Sequence, residues 1–370
     1  MGDARRFWIG FNRVRGIGPT RLKALLDVFG DLESAWNAGP EALKAAGLDA
    51  RSLAALLDAR RTLDLEAELA AVAARGWHVL TWDDASYPAR LREIAAPPPL
   101  LYVWGEVAAN DRWAAAVVGT RRPTHYGLSV ARELAEALAA SGVTVVSGLA
   151  RGIDATAHQA ALEAGGRTLA VLGSGLDRLY PPEHRALAEA IAARGAVLSD
   201  YPPDTAPESG NFPPRNRIIA GLALVVVLVE AGEASGALIT ADFATEQGRE
   251  VFAVPGNITS PASRGTNRLI RAGARPLLVV DEVLEALNLD VVARQEAVSE
   301  SLPEDPTEAR LLQMLGGEPV HIDELRARCG LPAAEVGASL AMLELKGRAR
   351  QVGGMQYVRV RERGGSYRVD

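Results

Sequence analysis

The spacing of apolar residues along the 370-residue chain changes from segment to segment. Up to about residue 75, apolar residues recur at helical intervals, as in TRLKALLDVFG, which predicts helices joined by short turns. A bridging stretch, WHVLTWDDASYP followed by PPPLLYVWG, leads into the centre. From 114 to 288, amphipathic segments alternate with short apolar runs, namely AAAVVG, VTVVSG, TLAVLG, GAVLSDY, LALVVVLVEA, EVFAVPG and RPLLVV. This alternation is typical of a parallel sheet covered by helices on both faces.

The end of the chain has a third pattern. The segment VVARQEAVSESLPEDP is acidic and ends in prolines, which indicates an exposed linker. Three helical patterns follow, and then RARQVGGMQYVRV alternates around two glycines as a β-hairpin does, so a winged helix is predicted. We therefore expect an α/β protein with a helical helix-hairpin-helix (SAM-like) domain at 1–75, a Rossmann-like, doubly wound, mostly parallel domain at 76–288, a linker at 289–306 and a winged-helix domain at 307–370.

Composition limits the possible partners. The net charge is −6, so any contact with nucleic acid must rest on local basic features. The single cysteine, Cys329, excludes an intrachain disulfide and fits a reducing compartment. The N-terminus has no signal-peptide pattern, and the apolar run Ile218–Val229 is too short to span a membrane. We expect a cytoplasmic protein without a membrane partner.

Glycine-rich loops with basic residues follow the first three apolar runs: VVGTRRPTHYG, VVSGLARGID and VLGSGLDRLYPPEHR. Ligands of doubly wound sheets lie beyond the carboxyl ends of the strands. Glycines let backbone amides approach a ligand, and the N-terminus of the next helix favours an anion. A single loop of this kind can equally be a structural turn. Three of them, with Arg121, Arg122 and Arg151, favour a phosphate site.

Motifs for bond-breaking chemistry are missing from the sequence. GSGLDR has Arg178 where the third glycine of a dinucleotide motif belongs, and no P-loop, H-E-x-x-H or G-x-S-x-G occurs. Asp154, Asp177 and Asp200 near strand ends would allow a metal, but helix capping or turn formation explains the first two more simply. His125 and His158 are interpreted as polar residues rather than acid–base groups. We expect no cofactor, no metal and no enzymatic activity.

The segment FPPRNRIIAG precedes the most apolar run of the chain. Its two prolines predict an extended approach to a strand, with Arg215 and Arg217 on a turn that faces the same crevice as Arg121. Neutral donors and arginines also occur together in EASGALITADFATEQGR and PGNITSPASRGTNRLIRAGA, which suits a polyphosphate backbone better than one compact anion. The alternative for Arg215 and Arg217 is salt bridging within the domain.

The two flanking modules have their own signals. VRGIGPTRLKALLDVFG resembles a helix-hairpin-helix, whose glycine turn offers amides to a DNA phosphate; the alternative is a turn that only packs. In the winged helix, a DNA reader would expose Arg, Asn or Gln on the third helix, whereas this one carries Glu335 and mostly small or apolar residues before Lys346. Contact of either terminal module with duplex DNA or with protein stays open.

With these motifs in place, the chain resembles the DNA-processing protein A family (DprA, also called Smf). The likeness rests on VGTRRPTHYG, SGLARGIDATAH, GSGLDRLYPPEH, NFPPRNRIIAGL, EASGALITADFATEQGREVFAVPG and RGTNRLIRAGA, which occur in this order between residues 118 and 274. The resemblance implies a homodimer that binds single-stranded DNA, protects incoming strands during natural transformation and loads the RecA recombinase. Such proteins are not known for bond-breaking chemistry.

The resemblance also implies which residues contact DNA phosphates. They are Gly119, Thr120, Arg121, Ser147, Gly148, Gly173, Gly175, Arg185, Arg215, Asn216 and Arg217. The family often has a lysine after the Tyr-Pro of the third motif, where this chain has Pro182-Glu183-His184-Arg185, so Arg185 is expected to supply that charge from a shifted position. Two other classes stay open: a Rossmann-like enzyme acting on a nucleotide or nucleoside phosphate, and a winged-helix transcription regulator with a ligand-sensing core.

Overall fold

The computed structural model describes residues 3–287, 306–316, 319–345, 349–352 and 354–359. It divides into two compact units, Met1–Leu287 and Asn288–Asp370, which we describe separately. The linker predicted at 289–306 lies outside the described residues except for Pro306. Among the described helices, none has both the length and the apolar character needed to cross a membrane.

The first unit begins with the helices that the sequence predicts. They are α1 (Arg5–Arg13), α2 (Pro19–Phe29), α3 (Leu32–Asn37), α4 (Pro40–Ala45), α5 (Ala50–Thr62) and α6 (Leu65–Ala74). Asp31, Asp49 and Asp64 cap α3, α5 and α6, because each carboxylate accepts a backbone amide of the first turn. These helices share a hydrophobic cluster with one face of the following sheet, so the domain boundary near residue 75 stays a prediction.

A nine-stranded sheet forms the centre of the described part of this unit. Its strands are β1 (Trp77–Thr81), β2 (Leu100–Gly105), β3 (Ala114–Val118), β4 (Thr144–Ser147), β5 (Thr168–Val171), β6 (Ala196–Ser199), β7 (Val225–Leu228), β8 (Glu250–Ala253) and β9 (Arg275–Pro276). The order is β1-β2-β6-β5-β4-β3-β7-β8-β9, parallel from β6 to β9 and antiparallel at β1 and β2. The predicted, mostly parallel sheet is confirmed, and the bridging stretch contributes β1 and β2, of which β2 is antiparallel to both of its neighbours.

Helices cover both faces of the sheet. They are α7 (Ala89–Arg92), α8 (His125–Ala140), α9 (Ile153–Glu163), α10 (Arg185–Arg194), α11 (Phe212–Leu222), α12 (Ala237–Glu246), α13 (Arg264–Arg271) and α14 (Asp281–Ala286). One hydrophobic cluster joins α10 and the N-terminal helices to the sheet, and a second joins α7, α11 and α12 to it. The predicted Rossmann-like, doubly wound fold is therefore confirmed.

The chain order creates a switch point between β3 and β7. From β3 the chain adds β4, β5 and β6 on one side, and then returns to place β7 on the other side. Because the loops after β3 and β7 diverge to opposite faces, a crevice opens at their carboxyl ends. The fold thus fixes where a ligand site is expected.

The prediction of an extended FPPRNRIIAG segment is wrong. Phe212–Leu222 is helix α11, and the strand begins only at Val225. Pro213 and Pro214 lie in the first helical turn, where a residue needs no backbone N–H donor and the fixed φ of proline is already helical. The apolar run is therefore shared between the end of a helix and the start of a strand.

The second unit has the elements of a winged helix. They are α15 (Pro306–Met314), β10 (Val320–His321), α16 (Ile322–Cys329), α17 (Ala333–Leu345), β11 (Ala349–Gln351) and β12 (Gln356–Arg359). The strands pair antiparallel in the order β10-β12-β11. Leu311, Leu325, Val336 and Leu340 are fully buried in its core. The predicted helices and hairpin are confirmed.

Candidate nucleic-acid interface

The main pocket of the first unit lies at the switch point and has a volume of about 760 Å³. The loop after β3 forms one wall with Gly119, Thr120 and Arg121, and the loop after β7 forms the opposite wall with Ser235 and Gly236. Phe212, Pro213, Arg215 and Asn216 of α11 and the ring of Tyr180 complete the lining. The pocket is therefore built from segments far apart in sequence that the sheet topology brings together.

A buried glutamate holds the loop between β3 and α8. Glu230 is 2% exposed and follows β7; its side chain accepts hydrogen bonds from the Thr124 amide at 2.8 Å and the Thr124 hydroxyl at 2.6 Å. Its backbone carbonyl accepts from the Thr120 amide at 2.7 Å. Gly127 lies so close to the carboxylate that a Cβ there would collide with it. The protein's own carboxylate thus fills the anion position at the N-terminus of α8.

The loop between β4 and α9 is closed in the same way. Asp154 is 6% exposed, and its Oδ2 accepts from the amides of Gly148 at 3.1 Å and Ala150 at 3.4 Å. Burial raises the pKa of the Asp154 carboxyl, while nearby Arg215 and the two amides oppose this rise. The Ser147 hydroxyl donates to the Val117 carbonyl at 2.6 Å. The Gly148 amide is thus already bonded to Asp154, and a contact of Gly148 with a phosphate stays a prediction.

Arg215 is a buried cation behind the pocket rather than a turn residue. It is 4% exposed, and its Nη1 donates to the carbonyls of Gly148, at 2.9 Å, and Val171. Its Nε donates to Oδ1 of Asn216 at 3.2 Å. Gly148 is required here because a Cβ would lie 2.7 Å from the guanidinium. Burial lowers the pKa of Arg215 to about 10, so the side chain stays charged at neutral pH.

Arg121 and Arg122 are exposed cations of the pocket, and Arg121 is the one that lies over an aromatic ring. Its guanidinium carbon lies 5.3 Å from the centre of the Phe212 ring. In the described part of the chain no carboxylate pairs with it, whereas Arg217 and Arg151 are both paired. A charge held over an aromatic face without a counterion is available to an incoming anion.

Two aromatic rings that sequence reasoning missed line the same pocket. Tyr180 and Phe212 have ring centroids 5.7 Å apart. Arg151 lies 5.8 Å from the Tyr180 ring and pairs with Glu183 at 2.5 Å. Arg121, Phe212, Tyr180 and Arg151 thus form a row in which two neighbouring rings lie between two cations, and the first three of them line the pocket. The sequence signal that could have indicated both rings is an aromatic residue directly before proline, in LYPP and in NFPP.

The remaining predicted site residues lie outside this pocket. Gly173 packs against the Phe212 ring, and Gly175 fits a tight turn beside Asp177. Arg185 is exposed at the start of α10, with no hydrogen bond or ion pair to other described residues. Arg217 pairs with Asp200 at 2.9 Å and donates to the Ala96 carbonyl at 3.0 Å in a separate, smaller pocket. Arg217 therefore forms a salt bridge within the domain, which is the alternative that the sequence left open.

Asp177 and His158 both make structural contacts within the first unit. Asp177 accepts the Asp204 amide at 2.9 Å, and His158 is fully buried against the Thr168 hydroxyl at 2.6 Å. Within the described residues there is no group of three His, Cys, Asp or Glu side chains placed to hold a metal ion.

The turn of the predicted helix-hairpin-helix is braced from within. Gly16 has φ +92°, and its carbonyl accepts from Nη1 of Arg21 at 2.6 Å. The same guanidinium pairs with Asp49 at 2.5 Å. These are the contacts of a turn that packs within the protein, and its contact with duplex DNA stays a prediction.

A Rossmann-like sheet with an arginine-bearing pocket at its switch point and a separate winged-helix unit defines a class of α/β proteins suited to hold phosphate groups. The family model for DNA recombination-mediator protein A matches residues 78–288, and the model for the DprA winged helix domain matches 295–355. The chain belongs to the DNA recombination-mediator protein A family.

Relatives and solved structures agree with this assignment. Protein Smf of a Synechocystis species is 38% identical, over 95% of this chain and 98% of that protein. The crystal structure of DNA processing protein A from Streptococcus pneumoniae matches with TM-score 0.67 and 33% identity, over 76% of this chain and 97% of that one. DNA processing protein A from Helicobacter pylori, described for its single-stranded DNA binding mode, matches with TM-score 0.52 and 31% identity, over 57% of this chain and 96% of that one.

Proposed function

We propose that this chain binds single-stranded DNA in the pocket at the switch point. The single observation that carries the proposal is Arg121, an exposed cation held over Phe212 with no carboxylate partner among the described residues. A backbone phosphate pairs with the guanidinium, and the Phe212 and Tyr180 rings give bases a surface for stacking. The structure described for the Helicobacter pylori relative supports single-stranded DNA as the ligand.

The finer parts of the proposal come from the family resemblance. We propose that the protein protects incoming strands during natural transformation in the cytoplasm and loads RecA onto them. A strand-exchange assay with RecA, with and without the protein, tests this step.

We also propose a homodimer. Leu278 and Val279, 70% and 58% exposed, follow edge strand β9 and offer apolar surface for a second copy of the chain. Light scattering tests the homodimer, and a result that shows only monomer at micromolar concentration would contradict it.

Binding explains the pocket better than nucleotide chemistry does. Asp154 and Glu230, the buried carboxylates beside it, accept backbone amides and are therefore poorly placed to act as acids or bases. An enzyme on a nucleotide or nucleoside phosphate would release base or phosphate on incubation. Turnover that is lost in an Asp154→Asn variant would replace the binding proposal.

The test is fluorescence anisotropy of a labelled oligothymidine at two salt concentrations. We expect Arg121→Ala to weaken binding by about tenfold or more, because charge-assisted hydrogen bonds contribute about 1.5–3 kcal/mol. Arg132→Ala is the matched control, because Arg132 is an exposed arginine that pairs with Glu163 away from the pocket. Equal affinity of the two variants would remove Arg121 from the site, and no binding by the wild type would end the proposal.

A further inference from the structure

Helices α8, α9, α11 and α12 of the first unit begin at or beside the pocket, and their N-termini differ. The Glu230 carboxylate accepts the Thr124 amide at the start of α8, and the first turn of α9 contains a carboxylate of its own, that of Asp154. The first turn of α12 contains no acidic residue: Gly236 stands at its N-cap position, and the neutral hydroxyl of Ser235 accepts the Ala237 amide at 3.3 Å. Ser235 and Gly236 line the pocket wall opposite Arg121. The partial positive charge of α12 therefore faces the pocket without an anion.

A buried hydroxyl lies in the same wall. Thr240 is 1% exposed, lines the pocket, and has no hydrogen-bond partner among the described residues. Thr245, one and a half turns further along α12, instead donates to the Ala241 carbonyl at 2.9 Å. A buried polar group without a partner costs free energy, which a ligand oxygen at this position would recover.

Hydrogen bonds connect this wall, at the start of α12, to the buried Arg215 guanidinium. The Arg215 Nε donates to Asn216 Oδ1, and Asn216 Nδ2 donates to the Gly236 carbonyl at 3.2 Å. Since Arg215 is itself fixed on two strand-end carbonyls, this chain of bonds holds the start of α12 in position before a ligand arrives. Preorganised donors lower the cost of binding.

We propose that the N-terminus of α12 and the Thr240 hydroxyl form a second phosphate subsite, facing the one at Arg121. The inference deepens the proposed function and depends on it, because the ligand is the neighbouring phosphate of the same single strand. Thr240 donates its hydroxyl hydrogen to a phosphate oxygen, and the start of α12 stabilises the negative charge. The pocket thus takes two phosphates of one strand on opposite walls.

The test compares two small competitors of a labelled oligothymidine: thymidine 5′-monophosphate and thymidine 3′,5′-bisphosphate. In the wild type we expect the bisphosphate to compete at about tenfold lower concentration, the scale of one charge-assisted hydrogen bond. In Thr240→Val, which keeps the side-chain shape, the advantage should fall to about twofold or less. Thr245→Val, a control on the same helix, should keep it. Ser235→Ala, a change on the pocket wall, should also reduce the advantage. This variant tests the subsite if Thr240→Val does not fold.

The outcomes separate the two proposals. If the oligothymidine binds, Arg121→Ala weakens it, and the bisphosphate advantage is unchanged in Thr240→Val and Ser235→Ala, the second subsite is wrong and the proposed function stands. If neither competitor displaces the strand at saturation, the pocket takes no isolated phosphate and the subsite is also wrong. If the wild type does not bind the oligothymidine, the proposed function itself fails.

Discussion

At the scale of single residues, the rim of the pocket contains a cation that the protein itself neutralises. Arg151 lies over Tyr180 but pairs with Glu183. Both side chains are about half exposed, so the pair contributes little to stability. In the proposed complex we expect a larger effect on ligand binding, because Glu183 would compete with DNA phosphates for the guanidinium and repel them.

We therefore expect Glu183→Gln to tighten oligothymidine binding without loss of stability. One more phosphate contact should also steepen the plot of log affinity against log salt by about 0.7, the increment for single strands. Anisotropy titrations over a salt series measure both quantities. Glu163→Gln is the matched control, since it removes the nearer carboxylate partner of Arg132, an exposed arginine outside the pocket that keeps Glu136 at 3.6 Å. An unchanged salt slope in Glu183→Gln would show that Arg151 does not meet the strand.

At the scale of elements, the sequence predicted which segments form the sheet but not which contacts the residues at the ends of the strands make. Continuous apolar runs identify buried strands, and the first helices have clear caps. The assignment failed at α11, because prolines read as extended chain are also accepted in a first helical turn. Glu230 accepts the Thr124 amide from 106 residues further along the chain, so no local pattern indicates this contact. Asp154 instead accepts amides six and four residues before it, within its own glycine loop.

A buried histidine joins helix α9 to two strands and makes this packing sensitive to acid. The Thr168 hydroxyl donates to the Val145 carbonyl at 2.7 Å, so it accepts from Nδ1 of His158. The Nε2 of His158 is buried and has no partner. Protonation would place a charge there without an acceptor, and burial accordingly lowers the pKa of His158 to about 3.

We expect the free energy of unfolding to fall as pH decreases below about 6.5, the ordinary pKa of histidine. The sign follows because the unfolded chain binds a proton in this range and the folded chain does not. The slope from this residue approaches 1.4 kcal/mol per pH unit, so the loss reaches about 2 kcal/mol near pH 5. Urea unfolding at several pH values should give a flatter profile for His158→Gln, whereas His125→Gln, at an exposed position, should match the wild type.

At the scale of the whole molecule, the net charge of −6 opposes binding of a polyanion, so affinity must come from a local arrangement. Every residue that lines the main pocket lies between Val118 and Thr240, within the first compact unit. The winged-helix unit has its own core, formed by residues such as Leu325 and Leu340. Single-strand binding and the winged helix should therefore be separable.

We expect a chain that ends after Leu287 to bind oligothymidine within about twofold of the full chain, with the same salt slope, because each phosphate contact contributes its own increment to that slope. The same truncation should remove any contact that the winged helix makes with duplex DNA or protein. Anisotropy on single-stranded and duplex probes, with circular dichroism to verify folding, measures both effects. A tenfold loss on the single strand, or a shallower salt slope, would mean that basic residues beyond Leu287 contact the same strand and that the pocket is only part of the site.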